Sequence, residues 1–83
     1  MNLRQLEIFT TVIAVGSFTE AAKILHMAQP AVSIAVRKLE DRLGSQLICR
    51  VDNLTPTAEG AVLLAHAKQL LSDMRVTKQA MVD

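Results

Sequence analysis

Aromatic side chains are almost missing from this sequence. It has no Trp, no Tyr and only Phe9 and Phe18, so a core must come from Leu, Ile, Val and Ala, a composition that suits packed helices. The single cysteine, Cys49, excludes an internal disulfide and fits a reducing cytoplasm. That cysteine and two distant histidines, His26 and His66, match no metal-ligand spacing, so neither metal nor cofactor is expected. Paired carboxylates, nucleophile–base spacings and Gly-rich phosphate loops are also lacking, which leaves a small helical enzyme with no site to work with. The start shows no basic segment followed by an apolar run, and no stretch is long enough to cross a membrane. Charge of one sign is scarce too: 9 basic against 8 acidic residues give a net charge of +1. That is a weak balance for a nucleic-acid binder. A length of 83 residues allows one small domain, marginal by itself, to which contacts with a partner would add stability.

What the chain does have is organised around Phe18–Gly44. Thr19 is a good N-cap for a helix running through Glu20-Ala21-Ala22-Lys23-Ile24-Leu25-His26. A break falls at Met27-Ala28-Gln29, and Pro30 suits the first turn of a second helix. That helix runs to about Leu43, where Gly44 supplies a left-handed cap. A short helix, a tight turn and a longer helix predict a helix-turn-helix whose second helix can enter a major groove.

On this second helix Val32, Val36, Leu39 and Leu43, with Ala35 beside them, form one apolar stripe. The opposite face carries Pro30, Ser33, Ile34, Arg37 and Asp41, with Gln29 and Lys38 at its margins. An amide, a hydroxyl, two apolar groups and a guanidinium suit base edges: Gln pairs with adenine, Arg with guanine, and an apolar group with a thymine methyl. Ile34 is the odd member. Contact with a thymine methyl explains it best, packing on another protein element being the alternative. Between Glu20 and Arg50 the balance turns basic, with Lys23, Arg37, Lys38, Arg42 and Arg50 against Glu20, Glu40 and Asp41.

Earlier in the chain, Asn2 and Gln5 form a capping-box pattern for a first helix whose apolar face is Leu3, Leu6, Phe9 and Ile13 and which ends at Gly16. Both phenylalanines are expected in the core. For Arg4 a solvated charge and a phosphate contact stay open. After Gly44, Gln46–Val51 is rich in β-compatible residues, Asp52-Asn53 has turn chemistry and Leu54-Thr55-Pro56 can return as a strand. This predicts a two-stranded wing, with Arg50 placed to reach a phosphate or the minor groove. Thr57 caps a last helix from Ala58 to about Val82. Its Leu63, Ala67, Leu70, Met74 and Met81 follow heptad-like spacing, and Ala61, Leu64 and Leu71 make a neighbouring stripe. A helix apolar on two sides needs two partners. One is its own domain, which Gly60 lets approach closely; the other is expected to be the same helix of a second subunit, through the heptad stripe. The expected architecture is mainly α: a winged helix-turn-helix over 1–57, three helices and a short β wing, followed by a long linker helix over 58–83. A winged-helix protein-interaction module is the competing reading, favoured by the near-neutral charge and by Ile34.

Leu3-Arg4-Gln5-Leu6 with Phe9, then Gly16-Ser17-Phe18-Thr19-Glu20-Ala21-Ala22, Leu25-His26, Gln29-Pro30-Ala31-Val32-Ser33, Leu39-Glu40, Leu43-Gly44, Gln46-Leu47, Arg50 and Thr57-Ala58-Glu59-Gly60 resemble, in order, the DNA-binding domain of LysR-type transcriptional regulators. The resemblance covers nearly the whole chain. It implies a bacterial, cytoplasmic regulator that binds palindromic duplex DNA as a homodimer through its linker helix, with higher oligomers in the full-length protein. A C-terminal effector domain would lie outside this chain, and any small-molecule effector would act through it. It also implies that Gln29, Pro30, Ser33 and Ile34 contact the major groove and that Arg37 and Arg50 contact the backbone or a groove; from their positions Arg37 is expected in the major groove, and Arg4 and Lys38, with Arg50, at the backbone or minor groove. Three departures stand out. Ala28 replaces the usual Ser or Thr before Gln-Pro, and Ile34 replaces a common Arg or polar residue, which points to a thymine-rich site. The wing reads Val51-Asp52-Asn53-Leu54-Thr55 where basic residues are common, so weak minor-groove contact and weak non-specific binding are expected.

Overall fold

The computed structural model describes residues 1–51 and 53–82. Its elements run α1 (Leu3–Val15), α2 (Phe18–Leu25), α3 (Gln29–Leu43), β1 (Ile48–Cys49), β2 (Thr55–Pro56) and α4 (Ala58–Val82). The Asp52 half of the expected wing turn lies outside the described residues.

Cap chemistry sets most of the boundaries. The Asn2 side chain accepts from the Gln5 backbone N–H at 2.8 Å, and the Asn2 N–H donates to Gln5 Oε1 at 3.2 Å, which starts α1 with a reciprocal capping box. Gly16, at φ 69°, ends it. The next cap is Ser17, not Thr19: Ser17 Oγ accepts from Glu20 N at 3.1 Å, and α2 begins at Phe18. Leaving the left-handed Gly16, Ser17 is the first extended residue, so the cap falls there. His26 lies outside α2. It is the left-handed C-cap at φ 55°, and Met27 N donates back to Ala22 O at 2.9 Å, which folds the chain sharply toward α3. Ala28 then enters α3 with no side-chain cap, Pro30 sits in the first turn, and Gly44 closes the helix at φ 68°.

A single cluster fills the space between the helices and the wing base: Ile8, Phe9 and Val12 of α1, Ala21 and Ala22 of α2, Val32, Val36 and Leu39 of α3, and Leu47 with Ile48. Helix α1 touches α2, α3 and α4. Surrounded on three sides, it buries Leu6, Ile8, Phe9 and Val12, a broader and rotated face compared with the expected Leu3, Leu6, Phe9 and Ile13; Leu3 is exposed and Ile13 only half-buried. On α3 the buried stripe stops at Leu39, and Leu43 is exposed because the core ends one turn before the helix does. Phe18 packs at the edge of the cluster, half-buried.

The wing is a two-stranded antiparallel sheet pairing Ile48 with Pro56 and Cys49 with Thr55. Both strands are edges, so the missing N–H of Pro56 breaks no central ladder. Thr57 joins wing to α4: its hydroxyl donates to Gln46 O at 2.6 Å and accepts from Gly60 N at 3.0 Å, while its own N–H donates to Leu47 O at 3.0 Å. Gly60 is pressed against that joint, where a Cβ would lie 2.0 Å from Leu47 O. Helix α4 then leaves the body, and from Asp73 onward every described residue is exposed.

Candidate nucleic-acid interface

Burial of Val32, Val36 and Leu39 turns the other side of α3 to solvent. Gln29, Pro30, Arg37 and Asp41 are exposed, Ser33 is half-buried, and Ile34 is 54% exposed. Ser33, Ile34 and Arg37 share a shallow hollow of about 400 Å³ with Phe18 of α2 and Arg50 of the wing. Three elements distant in sequence therefore meet on one surface: the start of α2, the exposed face of α3 and the end of β1. At the N-terminal margin Gln29 Nε2 donates to Ser33 Oγ at 2.8 Å, one helical turn apart.

Arg50 is held from two sides. Its guanidinium carbon lies 5.4 Å from the centroid of the Phe18 ring, within cation–π range, and its Nη2 is 3.8 Å from Glu40 Oε1. The Glu40 side chain is only 13% exposed, and its other oxygen accepts from Leu47 N at 2.8 Å and Ile48 N at 3.4 Å. One carboxylate thus ties α3 to the wing base and, by charge, to Arg50. Sequence reasoning passed over Glu40 and took Phe18 as core alone. A signal for Glu40 existed: it falls one turn after Val36, at the margin of the apolar stripe, where a charge needs a partner.

Neither Arg4 nor Lys38 lines this hollow. Arg4 is paired with Glu7 on α1. Lys38 instead lines a separate hollow of about 520 Å³ with Met1, Asn2, Gln5, Asp41 and Arg42, where the start of α1 meets the second half of α3.

The α4 stripe expected to meet a second subunit divides. Ala67 is fully buried and Leu63 packs on the core, so both serve their own domain: the helix face that Gly60 brings in continues through them. Leu70, Met74 and Met81 stay 46%, 50% and 82% exposed, at four- and seven-residue steps along the outer part of α4. Met74 also edges a groove of about 580 Å³ between α1 and α4, lined further by Glu7, Thr10, Lys68, Leu71, Arg75 and Lys78. Among the described residues no group of three His, Cys, Asp or Glu side chains gathers as a metal site would require, and no helix is long and apolar enough to cross a membrane.

Three helices, a two-stranded wing and an exposed second helix of the helix-turn-helix make this a winged helix-turn-helix domain. Residues 3–61 match the family model described as the bacterial regulatory helix-turn-helix protein, lysR family, and the chain belongs to that family. It is 44% identical over 72 residues to the nitrogen assimilation regulatory protein nac of Klebsiella aerogenes, covering 86% of this chain and 24% of that protein. It is 43% identical over 82 residues to the HTH-type transcriptional regulator CfxR of Cupriavidus necator, covering 98% of this chain and 26% of that protein. The chain therefore spans about a quarter of the length of these relatives. Among solved structures, a BenM DBD/catB site 1 DNA complex superposes with a TM-score of 0.94 at 36% identity, over 98% of this chain and 91% of that one. Full-length BenM superposes with a TM-score of 0.93 at 36% identity, over all of this chain and 28% of that one. By their names, nac is a regulatory protein and CfxR a transcriptional regulator.

Proposed function

We propose that this chain is the sequence-specific DNA-binding part of a LysR-type transcriptional regulator, with residues 1–57 reading duplex DNA and residues 58–83 linking and pairing two copies. The observation that carries the reading is the hollow shared by Ser33, Ile34, Arg37, Phe18 and Arg50, which lies on the helix a helix-turn-helix inserts into the major groove. A close relative in fold, BenM DBD, is described in complex with DNA, which supports the same partner here.

In this reading Gln29, Pro30, Ser33, Ile34 and Arg37 face base edges, with Ile34 against a thymine methyl and Arg37 against guanine or a phosphate. Arg50 reaches the backbone at the groove edge. Lys38, on the flank of α3, neutralises a neighbouring phosphate; Arg4 contributes less, because Glu7 already compensates its charge. Leu70, Met74 and Met81 pair α4 with its copy, which sets two α3 helices on half-sites about one helical turn apart, 34–36 Å. Selection of sequence comes from the α3 face, and positioning from the backbone contacts.

The test is binding of the 83-residue chain to a cognate and to an unrelated duplex, with Gln29→Ala and Arg37→Ala beside the wild type. Each variant is expected to lose about 5- to 100-fold in cognate affinity, the value of one base-reading side chain. Unchanged binding by both variants would move the function to a protein-interaction module. In a salt series the wild type, with few cations on the interface, should give a log–log slope no steeper than about −6, since each neutralised phosphate contributes roughly −0.9.

A further inference from the structure

We infer that Ser33 acts through Gln29: its hydroxyl holds the Gln29 carboxamide in the orientation that reads adenine, so the two residues form one reading unit. The inference deepens the reading of α3 as the DNA-reading helix and rests on it. Ser33 is then a positioning residue on the groove-facing surface, acting on the bases through Gln29.

Gln29 Nε2 donates to Ser33 Oγ at 2.8 Å. One amide hydrogen is thereby used, while the second and Oε1 remain free, a donor and an acceptor side by side. Adenine offers the matching pair in the major groove, the N7 acceptor and the N6 donor; guanine offers two acceptors, N7 and O6, and leaves Oε1 facing oxygen. A flipped amide, with Oε1 accepting from the Ser33 hydroxyl, would present both amide hydrogens outward and suit guanine instead. With Nε2 donating to Ser33 Oγ, the pair left outward is the one that matches adenine. The contact also matters for affinity, because Gln29 is exposed and its long side chain would otherwise be ordered only on binding. Ser33 can play this part because it is half-buried, on the same helix one turn on, at the edge of the hollow formed with Ile34 and Arg37. Ala28 adds nothing in its place, since it offers the start of α3 no side-chain bond.

The experiment measures binding of the 83-residue chain to its selected half-site by fluorescence anisotropy. The adenine whose preference disappears in Gln29→Ala is replaced by 7-deazaadenine, which lacks the N7 acceptor, or by guanine. The wild type should lose about 5- to 10-fold for either replacement, the low end of what a bidentate contact provides. In Ser33→Ala, which favours the helix and so folds, that discrimination should shrink to within about 2-fold. Ser33→Thr, which keeps the hydroxyl, should restore it, and Gln29→Ala/Ser33→Ala should discriminate no worse than Gln29→Ala. Equal weakening of Ser33→Ala on every duplex would overturn the inference and make the hydroxyl a phosphate ligand. Additive losses at two different base pairs, or a preference for guanine at the Gln29 position, would overturn it as well. In each of those cases DNA reading by α3 would stand; a wild type with no sequence preference at all would remove that reading itself.

Discussion

Gly60 shows how much one missing methyl can carry. Alanine is the better helix former by about 1 kcal/mol in a helix interior, and Gly60 is helical, yet a Cβ there would sit 2.0 Å from Leu47 O and 2.9 Å from Leu47 C. Those are backbone atoms of the wing base, held in turn by Thr57 and Glu40, so they cannot step aside. Gly60→Ala is therefore expected to destabilise the chain by about 3 kcal/mol, the scale of a forced overpacking, and to lower the midpoint of thermal unfolding. A variant as stable as the wild type would show that α4 can shift from the wing. Much at this scale was legible because it is local. Asn2, Gly16, Gly44 and Thr57 all cap where the sequence said, since a cap needs only its own turn. The left-handed His26 and the partners of the half-buried Glu40 were not legible, because what holds them lies in the turn geometry and in the wing, seven and eight residues further on in the case of Glu40.

Between elements, the joint of α3 and the wing decides where Arg50 stands. Glu40 accepts two backbone N–H groups that would otherwise be left without this partner, and its charge faces the arginine. Glu40→Ala is expected to cost about 2–3 kcal/mol of stability, the range for hydrogen bonds to a charged acceptor whose loss strands backbone donors. Chemical denaturation would measure it, and a change below about 0.5 kcal/mol, the ordinary surface range, would contradict the role. For α4 the expectation concerns association instead. Leu70→Asp with Met74→Asp changes two exposed positions, so the fold should survive while the sedimentation of the chain moves from dimer to monomer. Persistence of the dimer would place its interface elsewhere. The sequence could identify the long helix as apolar on two sides, but spacing alone could not say which side faced home. Leu63 and Ala67 follow the same heptad pattern as Leu70, Met74 and Met81, and only the packing against the core separates them.

At the scale of the whole molecule, a net charge of +1 has to be reconciled with a DNA partner. The distribution does so in part: Arg37 and Arg50 meet on the hollow beside α3, while Arg4 and Lys23 are compensated by Glu7 and Glu20. Such a surface gives little general attraction to phosphate, so binding has to come from complementarity to a particular sequence. The central claim is therefore that this chain is a paired, sequence-reading module. It is tested most directly by selecting bound duplexes from a random pool with the 83-residue chain at physiological salt. The account predicts enrichment of an interrupted palindrome, with half-sites separated by about one helical turn and adenine and thymine at the positions facing Gln29 and Ile34. Recovery of no sequence above background, from a chain shown to be folded, would contradict it.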